Sequence, residues 1–285
     1  MPKFEFNISA KGLSLLNALF LVEAADLVGG NLHQIQKQVQ DNLGLPKYKF
    51  FDTKGSKDTQ AFLSANDEIV VLSFRGTTST RDWWTNLKIK LAPSIVGRVH
   101  QGFNEALDDI WEDVRKTLLD FRDRKQSIWV TGHSLGGALA TVAADRLAEE
   151  SLEVRGLYTF GQPRVGDKIF VLNFDNKMKQ RSFRFVHDED VVPKVPSFLQ
   201  GYHHIGEECY FDRNGKLHTV NIRRHKFVSQ CISIARRSSK ELNRLRAQNP
   251  GGLRDHSLRY YKRYIRENLI KQKGGPQTFS EYINT

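Results

Sequence analysis

The stretch Ser127-Ile128-Trp129-Val130-Thr131-Gly132-His133-Ser134-Leu135-Gly136-Gly137-Ala138-Leu139-Ala140 constrains this chain more than any other. Ile128 to Val130 is a short apolar run that reads as a buried strand. It stops at Gly132, and Ala138 to Glu150 reads as a helix that begins directly after. Between them lies G-x-S-x-G with Ser134 at its centre, in the strand–turn–helix setting of a nucleophile elbow. A serine at the tip of so tight a turn holds a strained backbone. Gly132 and Gly136 are expected to remove side chains that would collide with it, and Gly137 and Ala138 to let the helix approach the strand. The helix N-terminus and the N–H of Leu135 then face the place where an oxyanion would form. A bare G-x-S-x-G arises by chance in roughly one chain of this length in ten. The rest of the sequence must therefore supply a base, an orienting acid and a second oxyanion donor.

Residues 13–28 and 31–43 read as two helices divided at Gly29-Gly30. Leu13, Leu16, Phe20, Ala24 and Leu27 recur at helical spacing, which predicts an amphipathic first helix. Leu13 to Val22, with Lys11 before it and Ala24-Ala25 after, has the outline of a signal peptide. Glu5 occupies the would-be basic region and Asn17 interrupts the apolar core, so the helix is the preferred reading. Two cysteines, Cys209 and Cys231, make no disulfide framework. The expected location is cytoplasmic or peripheral to a membrane.

Tyr48 to Asp52, Gln60 to Leu63 and Glu68 to Arg75 read as strands, the last a central one. Lys54-Gly55-Ser56 reads as a turn, and Ser79 with Asp82 as a capping box opening a short helix. Phe103, Ala106, Leu107, Ile110, Trp111, Val114 and Leu118 stripe a long helix from Phe103 to Arg122. Arg155 to Phe160 and Arg181 to Val186 are strands around a helix from Asp167 to Lys179. Gly201 to Phe211 reads as a strand, Arg213-Asn214-Gly215-Lys216 as a hairpin turn, and Leu258 to Leu269 as a helix. Strands alternating with helices over 68–190 predict an α/β fold, a mostly parallel central sheet with helices on both faces. Reactive groups of such sheets gather outside the carboxyl ends of the strands. Thr77, Ser134 and Asp190 each follow a predicted strand.

Charge adds a second theme. The net charge is +11 and the pI about 9.6. Residues 223–247 hold Arg223, Arg224, Lys226, Arg236, Arg237, Lys240, Arg244 and Arg246 against the single acid Glu241. This segment reads first as a solvated basic face; an anionic membrane surface suits it better than nucleic acid. No run reaches the roughly 18 apolar residues of a membrane span.

For the base, the histidines after Asp190 are His203, His204, His218, His225 and His256. His203 and His204 fall in a predicted strand, His218 follows a hairpin and His225 sits in the basic segment. His256, in a loop just before a helix, is best placed to reach over a sheet edge. His133 neighbours the serine, but its side chain is expected to point the other way. Position alone does not choose among Asp188, Glu189 and Asp190 for the acid.

Six blocks in order resemble the class 3 lipases, the fungal-lipase-like branch of the α/β-hydrolases. They are F-R-G-T-T-S (74–79), V-H-Q-G-F (99–103), T-G-H-S-L-G-G-A-L-A (131–140), T-F-G-Q-P-R-V-G-D (159–167), D-V-V-P-K-V-P (190–196) and D-H-S-L-R-Y-Y (255–261). The resemblance covers about residues 60–260. It implies Asp190 as the triad carboxylate, His256 as the base, and Thr77 as the oxyanion donor beside Leu135. It also implies a lid at about 79–91, with Trp83, Trp84 and Leu87 covering an acyl site. The expected layout is one α/β-hydrolase domain over 1–272, a basic helical insertion at about 223–247 and a tail at 273–285. The expected chemistry is hydrolysis of acylglycerol esters through an acyl-enzyme, with a lipid or small ester as substrate and no metal or cofactor. A phospholipase A1-type hydrolase, a feruloyl-type esterase and an inactive lipid-binding module are the alternatives. The basic insertion has no counterpart in compact members, so the resemblance assigns it no role.

Overall fold

The computed structural model describes residues 3–53, 59–76, 90–188, 190–220 and 256–274. The predicted turn at 54–56, the capping box, Thr77, Trp83, Trp84, Leu87, Glu189, almost all of the 79–91 segment, the basic segment 223–247 and most of the tail lie outside them.

Ten strands are described: β1 Lys47–Asp52, β2 Gln60–Ala65, β3 Ile69–Phe74, β4 Leu91–Pro93, β5 Arg98–His100, β6 Ser127–His133, β7 Val154–Phe160, β8 Ser182–His187, β9 Glu207–Phe211 and β10 Leu217–Val220. The helices are α1 Leu15–Leu27, α2 Leu32–Leu43, α3 Gln101–Phe121, α4 Leu135–Glu149, α5 Lys168–Met178 and α6 Leu258–Gln272. Eight strands form one sheet in the order β1-β2-β3-β6-β7-β8-β9-β10. Its centre, β3-β6-β7-β8-β9, is parallel; β1, β2 and β10 add antiparallel edges. The central strands β3 and β8 are buried along their whole length, as strands covered on both sides must be. The predicted mostly parallel sheet is therefore present.

Each face of the sheet carries its own core. Leu72, Val130 and Leu157 pack with Phe103, Leu107, Ile110, Leu139, Phe170 and Phe174 from α3, α4 and α5. On the opposite face, Trp129, Tyr158, Phe160 and Phe185 pack with Phe20 and Leu21 of α1, Ile35 of α2, and Tyr261 and Ile265 of α6. The stripe predicted for α3 is buried, with Trp111 half-buried at its margin.

Three expectations are corrected. The first helix is not amphipathic. Leu15, Ala18, Phe20, Leu21, Val22, Ala24 and Ala25 are buried, whereas Leu13, Leu16 and Leu27 of the predicted stripe are only half-buried. α1 is covered by the sheet on one side and by α6 on another, so it needs apolar residues nearly all round. Its carbonyls are tied to the sheet by hydroxyls, Ser73 to Ala24 at 3.0 Å and Thr131 to Leu21 at 3.1 Å. The strand read over Gly201 to Phe211 spans only Glu207 to Phe211; His203 makes an isolated bridge with Gly166 instead. Lastly, the helix after the elbow starts at Leu135, directly after the serine, and not at Ala138.

α6 positions His256, which lies two residues before it. Lys262 of α6 reaches Glu23 at 2.6 Å and Asp26 at 2.8 Å on α1, and Arg266 also pairs with Glu23. Glu23 is buried, so this cluster fixes one helix against the other. Among the described residues, no helix is long and apolar enough to cross a membrane.

Candidate active site

The elbow is built from the backbone. Ser134 sits between β6 and α4 with φ 57° and ψ −127°, a region costly for any side-chain-bearing residue. The turn is held by the Ser134 N–H donating to the Phe160 carbonyl of β7 at 3.0 Å. The two motif glycines serve close approach, though not as first read. A Cβ on Gly132 would lie 2.3 Å from the backbone of Gly136, and one on Gly136 would lie 2.2 Å from the Phe74 carbonyl of β3. They let the helix end press onto two strands, where a side chain would have met backbone and not the serine. Because α4 begins at Leu135, the N–H groups of its first turn have no partner inside the helix. Leu135 thus occupies the position expected of an oxyanion donor.

The histidine limb is built from side chains. His256 Nδ1 lies 2.9 and 3.0 Å from the two carboxylate oxygens of Asp190. Since a carboxylate accepts, Nδ1 carries a proton, and in the neutral ring Nε2 then keeps its lone pair. Asp190 is fully buried, and it also accepts from the Val192 N–H at 2.9 Å and the Tyr261 hydroxyl at 2.5 Å. Burial, then the charge and hydrogen bond of Asp190, push the Tyr261 phenol well above its usual value, so it stays a neutral donor. Asp188, an open alternative for the acid, turns away to the Tyr210 hydroxyl and to Arg213 Nε at 2.9 Å.

The two limbs meet at Gly161. This residue follows Phe160, has φ +58°, and bonds to the Phe185 carbonyl of β8 at 3.0 Å. A Cβ there would lie 2.8 Å from Asp190 Oδ2 and 2.9 Å from the His256 ring. Ser134 Oγ and His256 Nε2 are both buried, and neither has a hydrogen-bond partner among the described residues. Buried polar atoms of that kind call for a partner, and these two belong to the pair that serine chemistry would join. His203, His204 and His218 stand elsewhere: His204 Nε2 is bonded to the Pro193 carbonyl at 2.7 Å, and His218 to Asp212 at 2.9 Å.

His133 departs from expectation. Its ring lies 4.4 Å from the His256 ring, and Nε2 donates to the His256 carbonyl at 2.7 Å. On β6 the side chains of Trp129, Thr131 and His133 share the face that α1 and α6 cover, and this carries His133 toward the histidine limb. Burial, then the neighbouring His256 ring, hold its pKa well below the usual imidazole range, although its bond to the His256 carbonyl pulls the other way. Tyr261 and His133 are the two site residues whose contacts were missed. Both stand inside blocks quoted from the sequence, but no local signal says where their side chains reach.

Parallel strands with a serine elbow after β6 and the carboxylate after β8 define the α/β-hydrolase fold. The sequence model of the family described as Lipase (class 3) matches residues 71–200. Over that stretch, just under half of the chain, this protein is similar to the class 3 lipases. It is similar to the Fusarium solani protein named secreted mono- and diacylglycerol lipase 1, at 37% identity over 52% of this chain and 45% of that one. It is also similar to a rice phospholipase A1, at 31% identity over 50% of this chain and 43% of the relative. Among solved structures, Rhizomucor miehei triacylglyceride lipase matches with a TM-score of 0.61 and 26% identity, covering 70% of this chain and 81% of that one. The matched stretches span about half the length of these curated relatives.

Proposed function

We propose that the chain is a serine lipase or esterase, hydrolysing acylglycerol esters by way of an acyl-enzyme. The observation that carries this reading is the buried Asp190–His256 pair: its Nε2 and the Ser134 Oγ are both buried without a hydrogen-bond partner among the described residues, Ser134 after β6 and Asp190 after β8. The Ser134 proton passes to His256 Nε2 as Oγ bonds to the ester carbonyl carbon. The resulting oxyanion lies against the Leu135 N–H, with Thr77, which follows Gly76, as the second donor. A Cβ on Gly76 would lie 3.3 Å from Ser134 Cβ, and this adjacency supports Thr77 in that role. The C–O bond to the alcohol breaks, and the alcohol leaves with the proton from Nε2. Water then repeats the sequence, giving up a proton to Nε2, releasing the fatty acid and restoring Ser134. Asp190 keeps the tautomer and balances the imidazolium charge; Tyr261 and the Val192 N–H keep the carboxylate in place.

Neutral acylglycerols are the first substrate choice, in keeping with the names of the Fusarium and Rhizomucor relatives. A phospholipid acyl ester is the second, favoured by similarity to the rice phospholipase A1 and by the basic segment 223–247. Trp83, Trp84 and Leu87 are proposed as the lid over the acyl site. Ser134→Ala tests the chemistry: it should lower hydrolysis of a soluble short-chain ester by at least about 10⁴-fold and abolish labelling by a fluorophosphonate. Wild-type turnover in this variant removes Ser134 from the mechanism. A panel of tributyrin, triolein, monoacylglycerol and phosphatidylcholine separates the two substrate readings.

A further inference from the structure

Several large apolar side chains remain exposed, and four of them share one surface. Ile95 and Val96 are the two central residues of the turn joining β4 to β5, closed by the Ser94 N–H donating to the Gly97 carbonyl at 3.0 Å. Such tips usually carry Gly, Asn, Asp or Ser, which suit the turn backbone or bond to it. Here a β-branched pair stands in their place, and Ile95 is 65% exposed. The turn is seated on the first turn of α5: a Cβ on Gly97 would lie 2.3 Å from the Phe170 N, and Asp167 Oδ1 accepts from the Arg98 N–H at 3.2 Å. Immediately beside this contact, Ile169 is 60% and Leu172 56% exposed, three residues apart and so on one face of α5. The same helix buries Phe170, Val171 and Phe174, so Ile169 and Leu172 are apolar residues on the side meant for water. Leu199, on the 3₁₀ turn Phe198–Gln200, extends the surface. Phe198 of that turn packs on the His203 ring at 4.8 Å, and the His203 N–H donates to Gly166.

Two further observations bear on what covers this surface. Two exposed cations flank it: Lys168 precedes Ile169 and Arg98 follows the turn. Asp167, the acid among them, is turned inward onto Arg98 Nε at 3.0 Å and the Phe170 N–H at 2.9 Å. The surface also borders the loop after β7, at the same sheet edge as Ser134 and His256. Apolar side chains flanked by cations suit a lipid surface containing anionic headgroups, where the side chains enter the acyl boundary and the cations meet phosphate.

We propose that Ile95, Val96, Ile169 and Leu172, none of them drawn from the 79–91 or 223–247 stretches of sequence, form a lipid-docking surface that sets the mouth of the active site against anionic membrane surfaces. It rests on the lipase reading above, and the test keeps the two apart. Full-length protein carrying Ser134→Ala is sedimented with vesicles of phosphatidylcholine alone and of phosphatidylcholine with phosphatidylglycerol. Adding Ile169→Ser and Leu172→Ser should weaken partitioning onto the mixed vesicles by at least about ten-fold. In the Ser134 background, the same pair should leave hydrolysis of a monomeric short-chain ester and the thermal midpoint unchanged. Leu119→Ser, an exposed leucine near the end of α3 at the opposite sheet edge, should change neither binding nor hydrolysis. Undiminished vesicle binding by the double variant overturns the proposal. So does a wild-type dimer in sedimentation equilibrium that the double variant converts to monomer, because the occupant would then be a second copy. A wild type that binds vesicles through these residues but hydrolyses no soluble ester would overturn the lipase reading and leave the docking surface standing.

Discussion

The serine limb and the histidine limb of the site are held by different physics. On the serine side everything is backbone: a strained φ at Ser134, an N–H bonded to β7, and two glycines without which α4 could not touch β6 and β3. On the histidine side the holding is mostly by side chains: Asp190 and His133 meet His256, Tyr261 and the Val192 N–H hold Asp190, and α6 is tied to α1 through Glu23, Asp26, Lys262 and Arg266. In the first limb the serine and its two glycines lie within five positions of one another, and they press on backbone of β3 and β7. The second joins residues 66 apart along the chain, and its helix is anchored to one more than 230 residues away. A backbone constraint should fail as a unit, whereas a set of polar contacts should fail by degrees.

Gly136→Ala should produce the largest effect. Its Cβ meets the Phe74 carbonyl at 2.2 Å, and the main chain has nowhere to move without separating α4 from the sheet. We expect a loss of about 4 kcal/mol or failure to fold, read by urea denaturation. A variant as stable as the wild type would show that the elbow is not backbone-limited.

Tyr261→Phe strikes the other limb and should be milder. Asp190 keeps His256 and the Val192 N–H but loses a charge-assisted bond, worth about 2 kcal/mol in the transition state or roughly 30-fold in kcat. The thermal midpoint should hardly change. If kcat stays at the wild-type value, the phenol merely packs against Asp190.

The smallest effect concerns the contact between the limbs. Native His133 resists protonation, whereas in the unfolded chain it titrates near its ordinary 6.5. Below that pH unfolding takes up a proton, so stability falls by about 1.4 kcal/mol per pH unit for this group. His100, which caps α3 and is held down to about 4 mainly by burial, adds a similar slope between 6.5 and 4. His133→Gln keeps a donor N–H but has no proton to refuse. Urea midpoints between pH 5 and 8 should therefore flatten by one proton's share, and an unaltered slope would contradict the neutral His133 described here.

The same contrast explains what could be read in advance. The elbow was legible because its information is local: glycine spacing, an apolar run and a helix-forming run lie within twenty residues. The parallel sheet was legible for a related reason, as each βα unit announces itself separately. His256 was singled out by its place before a helix, and Asp190 only through resemblance to a family, because Asp188 offers the same carboxylate two positions earlier. The wrong direction for His133 and the wrong pattern for α1 have one cause. Both depend on α6 lying across that face of the sheet, and nothing in residues 13–28 or 127–140 announces a helix that begins at Leu258.

The docking of α1 and α6 onto one another also bears on how this protein can be cut. Residues 71–200 contain Ser134 and Asp190, but neither His256 nor any of the three helices α1, α2 and α6 that roof one side of the sheet. Expressed alone, that piece would leave Trp129, Tyr158, Phe160 and Phe185 open to water, a greasy wall prone to clumping. A usable fragment must run from Phe4 to Gln272, since Phe4 and Phe6 pack on this same wall, and tags or fusions belong outside that span.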